Sequence, residues 1–208
     1  MIYTWAADTA PLLDENRYRA YFEQAPSWRQ EKAKKMRFPE DRALSIGAWM
    51  LYEKAKKESG LSGENIFNLS HSGHFVLCSI GEDASRKTGC DVEMTGVFRP
   101  NVARRIFCPS EWEYIDGRES EEEKRDAFFR YWVLKESFMK ATRLGMRLAM
   151  NAFEIAVWQG GEPRLIRQPE EIGGIFHFRE YDMREQGFQA AVCSEDPDIA
   201  VELGWITL

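Results

Sequence analysis

The sequence predicts an α+β protein built from two similar small halves. Three observations predict this class: helical patterns fill most of residues 11–58, apolar strands follow within residues 75–94, and helices again precede strands after residue 99. The chain has 208 residues, of which 44% are hydrophobic and 30% are charged, so it can form one larger core or two small packed cores. We place the halves at residues 1–98 and 99–208.

The first half is predicted to contain three helices and two long strands. I-Y-T-W at residues 2–5 indicates a short strand, and residues 11–24 follow a helical pattern. Ser27 is a candidate cap for a second helix, and apolar residues at helical spacing predict a third helix over residues 40–58. The strands are predicted at residues 75–80 and 89–94.

The second half begins with shorter helices and ends in strands. A short helix is predicted at residues 101–107, and Ser110 is a candidate cap for the next one. The long helix at about residues 124–142 carries most of the aromatic side chains of this half. The last predicted strands lie within residues 152–158, 175–181 and 188–194.

Composition argues against several classes of protein. The net charge of −6 does not favour a nucleic-acid-binding protein. No apolar run approaches the roughly 20 residues that span a bilayer, and no basic leader precedes an apolar stretch at the start. We therefore expect no nucleic-acid partner, no membrane partner and a cytoplasmic location. The four cysteines form no C-x-x-C pair, so we expect small core residues and not a zinc site.

Two carboxylates in G-C-D-V-E are candidate metal ligands. Alternate residues of a strand face the same side, so Asp91 and Glu93 would project together while Cys90 and Val92 face a core. Two adjacent negative charges repel unless a cation lies between them, and Mg²⁺ prefers oxygen ligands. The alternative is an ordinary exposed strand with acidic residues.

The segment W-V-L-K-E-S-F-M-K places charged residues on a largely apolar helix. Glu136 and Lys140 are four residues apart and share a helical face, which is also the spacing of a simple surface ion pair. Glu136 could complete a three-carboxylate site with the strand pair, and Lys135 and Lys140 could supply positive charge to a phosphate.

Two further segments are candidates for phosphate binding. In N-L-S-H-S-G-H-F, His71 lies between two serines before an apolar strand, although a turn capped by these side chains is equally consistent. The segment lacks the G-x-S-x-G pattern of hydrolases, and His71 with His74 has no evident third metal ligand. Arg29, Lys32 and Lys35 would share a helical face, with Arg42 beyond, or form a solvated basic surface.

Taken in order, these segments resemble the three signature motifs of the 4′-phosphopantetheinyl transferases. The motifs are S-H-S at residues 70–72, G-C-D-V-E at residues 89–93 and W-V-L-K-E-S-F-M-K at residues 132–140. The likeness is to the larger, single-chain type that activates peptide and polyketide synthases, and it spans about residues 25–145. The resemblance implies an intramolecular pseudo-dimer with its active site in the cleft between the halves.

The resemblance also implies a reaction and a set of functional residues. The reaction transfers the 4′-phosphopantetheine group of coenzyme A to a serine of an apo acyl, peptidyl or aryl carrier protein, with Mg²⁺ or Mn²⁺, and releases adenosine 3′,5′-bisphosphate. The implied metal ligands are Asp91, Glu93 and Glu136. The implied coenzyme A contacts are Arg29, Lys32, Arg42, Ser70, His71, Asp91, Lys135 and Lys140. The implied catalytic residues are Glu136 as the candidate base, Lys140 and His71.

One segment departs from the family pattern, and three other interpretations stay open. Many relatives carry G-K-P before the S-H-S motif, and this chain has none, so contacts to adenine are not predicted. The alternatives are a non-catalytic relative that binds coenzyme A or a carrier protein, a metal-dependent phosphohydrolase that uses the same carboxylates, and a purely structural α+β domain. Because a pseudo-dimer has one complete site per chain, we expect a monomer.

Overall fold

The protein was analysed as a computed structural model, which describes residues 1–158 and 161–208. None of the helices in these residues is long and apolar enough to cross a membrane. Within the described residues the α-helices are α1 (Glu15–Gln24), α2 (Ser27–Lys34), α3 (Pro39–Glu58), α4 (Pro100–Ile106), α5 (Pro109–Asp116) and α6 (Glu121–Ala141).

The strands are distributed along the whole chain. They are β1 (Ile2–Asp8), β2 (Ile66–Ser72), β3 (Phe75–Gly81), β4 (Thr88–Met94), β5 (Glu154–Ala156), β6 (Arg164–Arg167), β7 (His177–Met183), β8 (Phe188–Ser194) and β9 (Gly204–Trp205). Strands β6 and β9 were not predicted from the sequence, because both are short and neither shows a clear alternation of apolar residues. Strand β2 was not predicted either, because its S-H-S segment is also consistent with a turn capped by side chains.

The strands form two sheets, which confirms the predicted α+β class. The order is β2-β3-β1-β9 in the first sheet and β4-β8-β7-β6-β5 in the second. The pairs are antiparallel except for the parallel pair of β1 with β9. The division at residue 98 stays a prediction. Strand β4 precedes that position and pairs with β8 of the second sheet, while β9 returns from the end of the chain to the first sheet.

Prolines stand at the start of four of the described α-helices, and both predicted serine caps were wrong. In α2 the cap position is held by Pro26, so Ser27 is the first helical residue. In α5 Pro109 is the first helical residue, where an N–H would have no partner within the helix, and Cys108 takes the cap position. The Glu111 carboxylate accepts a hydrogen bond from the Cys108 N–H at 2.8 Å, and Ser110 lies inside the helix.

Buried apolar side chains form three clusters. The first lies between α3 and the first sheet, and the second lies between α6 and the second sheet. The third is shared by both sheets and includes Leu77 of β3, Cys90 and Val92 of β4, and Val192 of β8. All four cysteines are buried, as predicted. Because the sheets share a core, the two parts of the chain are held firmly against each other.

Strand β4 turns its alternate residues to two different environments, as the sequence predicted. Cys90 and Val92 are completely buried in the shared core. Gly89 faces α6 so closely that a Cβ atom there would overlap the backbone nitrogen of Ala141 and the carbonyl oxygen of Ser137. A glycine is therefore required for the helix to approach the strand that carries Asp91.

We expect Gly89→Ala to destabilise the protein by about 3 kcal/mol, because the added methyl group forces the backbone of α6 away from β4. The free energy of unfolding, measured by urea denaturation, tests this expectation. The control is Gly173→Ala, since a Cβ atom at that position contacts nothing within 4 Å. Equal stabilities of the two variants would show that α6 can shift without cost.

Candidate active site

The closest approach of α6 to β4 brings an aspartate and a lysine together. Asp91 is buried, and its Oδ1 atom accepts hydrogen bonds from the Ser70 hydroxyl at 2.9 Å and from the Lys140 ammonium at 2.6 Å. Lys140 Nζ also donates to Ser70 Oγ at 2.8 Å. Burial raises the pKa of Asp91, and the Lys140 charge opposes that rise. Three elements, β2, β4 and α6, thus meet at one carboxylate.

Two further carboxylates lie within the electrostatic influence of Asp91. The Ser72 hydroxyl donates to Glu93 Oε2 at 2.8 Å. The pKa values of Glu93 and Glu136 are both raised, first by burial and next by the negative charge of Asp91. Like charges that raise each other's pKa are stabilised by a cation placed among them.

The donor set fits a hard divalent cation. Asp91 Oδ2 is buried and has no hydrogen-bond partner in the described part of the chain, so one carboxylate oxygen is free to bind an ion. The neighbouring donors, Glu93 and Glu136, also offer oxygen, which Mg²⁺ and Mn²⁺ prefer. Within residues 1–158 and 161–208 no three such side chains already surround one metal position. A shared site on Asp91, Glu93 and Glu136 therefore stays a prediction.

A basic cavity of about 330 Å³ lies beside this cluster, between α2, α3 and β2. Arg29, Lys32, Ser45 and His71 contribute polar side chains to its wall, together with the carboxylate of Asp41. Burial lowers the pKa of His71, and the charges of Lys140 and Lys32 lower it further. The pKa of His71 therefore depends on charges of the carboxylate cluster and on charges of α2. The cavity and the cluster are close enough to form one site.

Two polar atoms of the cavity residues have no partner among the described residues. These atoms are Ser45 Oγ and Arg29 Nε, and both are buried. The guanidinium of Arg29 lies 4.7 Å from the ring centroid of Trp28 and 5.2 Å from that of Trp49, which fixes its position without neutralising it. Unsatisfied donors beside a lysine suit an anionic ligand such as a phosphate.

Comparison with known proteins decides the family. Residues 87–193, just over half of the chain, match the model of the 4′-phosphopantetheinyl transferase superfamily. The chain belongs to this superfamily. The matched range contains the G-C-D-V-E and W-V-L-K-E-S-F-M-K motifs, so the resemblance predicted from the sequence is confirmed.

Individual transferases show the same likeness over part of their length. The chain is 28% identical over 141 residues to the 4′-phosphopantetheinyl transferase Sfp of Bacillus subtilis (strain 168), covering 68% of this chain and 60% of that protein. It is 38% identical over 105 residues to the 4′-phosphopantetheinyl transferase HetI of Nostoc sp., covering 48% of this chain and 40% of that protein. The chain thus spans 60% or less of the length of these two relatives.

A solved structure was also matched. The holo-[acyl-carrier-protein] synthase of Thermotoga maritima aligns with a TM-score of 0.44 and 23% sequence identity, over 52% of this chain and 61% of that one.

Two residues predicted to contact coenzyme A lie away from the basic cavity. Arg42 lines a separate cavity of about 310 Å³ with Tyr18 and Pro39. Asp41 and Ser45, four residues apart on α3, both face the basic cavity. Arg42 follows Asp41 directly, so its side chain is rotated by about 100° around the helix axis, away from that cavity. The structure therefore does not place Arg42 beside Arg29 and Lys32, and its contact with coenzyme A stays a prediction.

Lys135 is the second of these residues, and it lies inside the protein. Its side chain is completely buried, and its ammonium binds Glu111 Oε1 at 2.8 Å and the carbonyl oxygens of Met150 at 2.7 Å and Phe153 at 2.8 Å. All three donors of the ammonium are therefore used by buried groups of the protein itself. The neighbouring residue Glu136 faces β4 instead, so the predicted contact of Lys135 with a phosphate in the cleft was wrong.

Sequence reasoning missed Ser45, Asn68 and Glu111, and it did not foresee that Ser72 of the S-H-S motif binds Glu93 and the backbone of β4. Asn68, Ser70 and Ser72 occupy every second position of β2. Because alternate residues of a strand share a face, this spacing could have indicated that the three side chains point the same way. Ser45 lies one helical turn after Asp41 in an apolar segment, and no motif marks it. Glu111 shows no local signal for the buried lysine that it binds 24 residues later.

The lowered pKa of His71 predicts a pH dependence for anion binding in the basic cavity. A phosphate in the cavity favours imidazolium, whereas the free protein favours the neutral ring. We therefore expect the affinity for adenosine 3′,5′-bisphosphate to increase as the pH is lowered from about 8 to about 6, with proton uptake. Calorimetry of wild type and His71→Gln measures the effect, since titration of the ligand phosphates is common to both. An identical pH dependence in the variant would contradict the prediction.

Proposed function

We propose that the protein transfers the 4′-phosphopantetheine group of coenzyme A to a serine of an apo acyl, peptidyl or aryl carrier protein. One observation carries the proposal: the buried Asp91, with a free Oδ2 atom and Lys140 on Oδ1, lies beside a basic cavity that His71 connects to it. A metal-dependent reaction at phosphorus needs this combination of carboxylates and anion-binding groups.

The basic cavity is the proposed coenzyme A phosphate site. Arg29 and Lys32 provide charge for the 3′-phosphate, and Ser45 provides a hydroxyl donor. His71 and Lys140 lie toward the carboxylate cluster and are assigned to the pyrophosphate. Ser70 is assigned chiefly to Asp91 and Lys140, because its hydroxyl contacts both.

The reaction forms one bond and breaks one bond at phosphorus. The carrier serine oxygen forms a bond to the phosphorus that bears pantetheine, and the bond from that phosphorus to the leaving adenosine 3′,5′-bisphosphate breaks. Glu136 is the candidate acceptor of the serine proton, since a raised pKa brings a carboxylate closer to the operating pH of a general base. Lys140 stabilises negative charge on the leaving group.

A divalent cation, Mg²⁺ or Mn²⁺, is the proposed cofactor. Asp91 would hold it through Oδ2, with Glu93 and Glu136 as further donors. When bound, such an ion neutralises charge on the pyrophosphate. The protein is further proposed to act as a cytoplasmic monomer, in keeping with one site per chain.

The proposed carrier surface follows β4 directly. Met94, Val97 and Val102 expose apolar side chains, with Val97 80% exposed, and Arg104 and Arg105 add positive charge on α4. An acidic carrier matches both features.

We expect Val97→Asp to raise the KM for an apo carrier about tenfold, because it adds a negative charge to the docking surface, while leaving the Kd for coenzyme A unchanged. Steady-state kinetics and calorimetry measure the two quantities. A variant with an unchanged KM for the carrier would place the docking surface elsewhere.

Product analysis tests the proposed function. The protein is incubated with coenzyme A, Mg²⁺ and a panel of apo carriers, and nucleotide and inorganic phosphate are quantified by chromatography. We expect adenosine 3′,5′-bisphosphate in amounts equal to the modified carrier, and none without a carrier. Release of phosphate or nucleotide in the absence of carriers would indicate a phosphohydrolase. Calorimetric binding of coenzyme A without any product would indicate a non-catalytic relative.

A further inference from the structure

Strands β2 and β4 meet without forming a backbone ladder. In the described residues β2 is the edge of the first sheet and pairs with β3, while β4 is the edge of the second sheet and pairs with β8. The edge of β4 that faces away from β8 presents N–H groups at every second residue. Those of Cys90 and Val92 lie in the buried or partly buried contact between the sheets and need acceptors, whereas that of Met94 lies at the exposed end.

Side chains of β2 supply these acceptors in a regular series. The Cys90 N–H donates to Asn68 Oδ1 at 3.0 Å. The Val92 N–H donates to Ser70 Oγ at 3.4 Å, and the Met94 N–H donates to Ser72 Oγ at 3.0 Å. Each contact joins residues 22 positions apart, so the series advances two residues along both strands at each step.

The two serines also orient the carboxylates of the site. The Ser70 hydroxyl accepts a hydrogen bond from the Val92 N–H and donates one to Asp91 Oδ1 at 2.9 Å. The Ser72 hydroxyl accepts a hydrogen bond from the Met94 N–H and donates one to Glu93 Oε2 at 2.8 Å. Each hydroxyl therefore binds the carboxylate of one β4 residue and the amide of the next. The same contacts that align the strands fix the directions of two candidate metal ligands.

We propose that Asn68, Ser70 and Ser72 form a side-chain ladder that positions β4 for the reaction. The role in the reaction rests on the proposed function, whereas the ladder itself does not. The shared apolar core already holds the sheets together and excludes a slip by one residue, which would turn the buried face of β4 outward, but a slip by two residues would keep the same face in the core. A slip by one step of the ladder would move the carboxylates by two residues, or about 6.6 Å. The ladder sets this register.

Asn68 gives the cleanest test, because it contacts the β4 backbone and none of the carboxylates. Asn68→Leu keeps the approximate shape of the side chain but removes the acceptor, and Asn68→Asp restores an oxygen at the same position. We expect amide hydrogen exchange at Cys90 to become about tenfold faster in Asn68→Leu, and to stay near the wild-type rate in Asn68→Asp.

Ser72 provides a matched pair at the other end of the ladder. Ser72→Val and Ser72→Thr are nearly identical in shape, and only the threonine keeps the hydroxyl that binds Met94 N–H and Glu93. We expect faster exchange at Met94 in the valine variant and wild-type exchange in the threonine variant. Rescue by threonine separates the hydrogen bond from simple packing.

Kinetics test the positioning role. Because Asn68 lies outside the basic cavity, we expect Asn68→Leu to lower kcat for carrier modification about tenfold while the KM for coenzyme A changes less than about twofold. A purely structural defect would instead lower the fraction of active protein, which titration with coenzyme A by calorimetry measures directly.

The outcomes separate the ladder from the proposed function. Unchanged exchange at Cys90 in Asn68→Leu would overturn the ladder. Faster exchange with an unchanged kcat would overturn its positioning role. If the wild-type protein modified no carrier, the proposed function would fail, while faster exchange in Asn68→Leu and recovery in Asn68→Asp would still support the ladder.

Discussion

Glu136→Gln is expected to lower the rate of phosphopantetheine transfer about a thousandfold while leaving the protein folded. The amide cannot accept the serine proton, and it binds a divalent cation more weakly than a carboxylate does. Single-turnover transfer to an apo carrier measures the rate directly. The matched control is Glu113→Gln on α5, which makes the same change of charge at an exposed position.

The same substitution is expected to maintain or raise the free energy of unfolding at neutral pH without metal. Burial and Asp91 raise the pKa of Glu136 in the folded state. A carboxylate with a raised folded-state pKa destabilises the protein at pH values above its unfolded pKa, and an uncharged glutamine removes that cost. A variant that kept a near-normal transfer rate, or that unfolded more easily than wild type, would contradict the role assigned to Glu136.

Lys135→Met is expected to destabilise the protein by about 3–5 kcal/mol, because it leaves the buried Glu111 carboxylate without its cation. The ammonium also serves two carbonyl oxygens, which would lose their donor. Burial lowers the pKa of Lys135, and Glu111 opposes that shift. Denaturant unfolding measures the loss, with Lys57→Met at an exposed position of α3 as the control.

A double variant separates charge burial from packing in this pair. Lys135→Met combined with Glu111→Leu removes both charges, and we expect it to be more stable than Lys135→Met alone. A Lys135→Met protein as stable as the control would mean that the lysine reaches solvent. That result would return Lys135 to the list of candidate phosphate ligands.

Local patterns predicted β4 and α6, which carry the carboxylates and Lys140, but not β2, which carries Ser70 and His71. The alternation in G-C-D-V-E correctly placed Cys90 and Val92 in a core, because a strand surrounded by protein has two distinct faces. The helical spacing of Glu136 and Lys140 correctly placed both on the side of α6 that faces Asp91. These assignments needed only the period of each element.

Other assignments depended on contacts between distant segments, which periodicity does not contain. Lys135 and Glu136 are adjacent in one motif, yet about 100° of helical rotation sends one to Glu111 and the other to β4. On α3 the same rotation separates Arg42 from Asp41, so Arg42 lines a different cavity from Arg29. Nothing in the local sequence shows which face of a helix will meet a given neighbour.

The most direct test of the central claim is the intact mass of an apo carrier protein after incubation with this protein, coenzyme A and Mg²⁺. We expect the carrier to gain the mass of one phosphopantetheine group, and we expect the gain to disappear without metal or with Asp91→Ala. A carrier modified equally well by Asp91→Ala, or in the absence of any divalent cation, would contradict the claim.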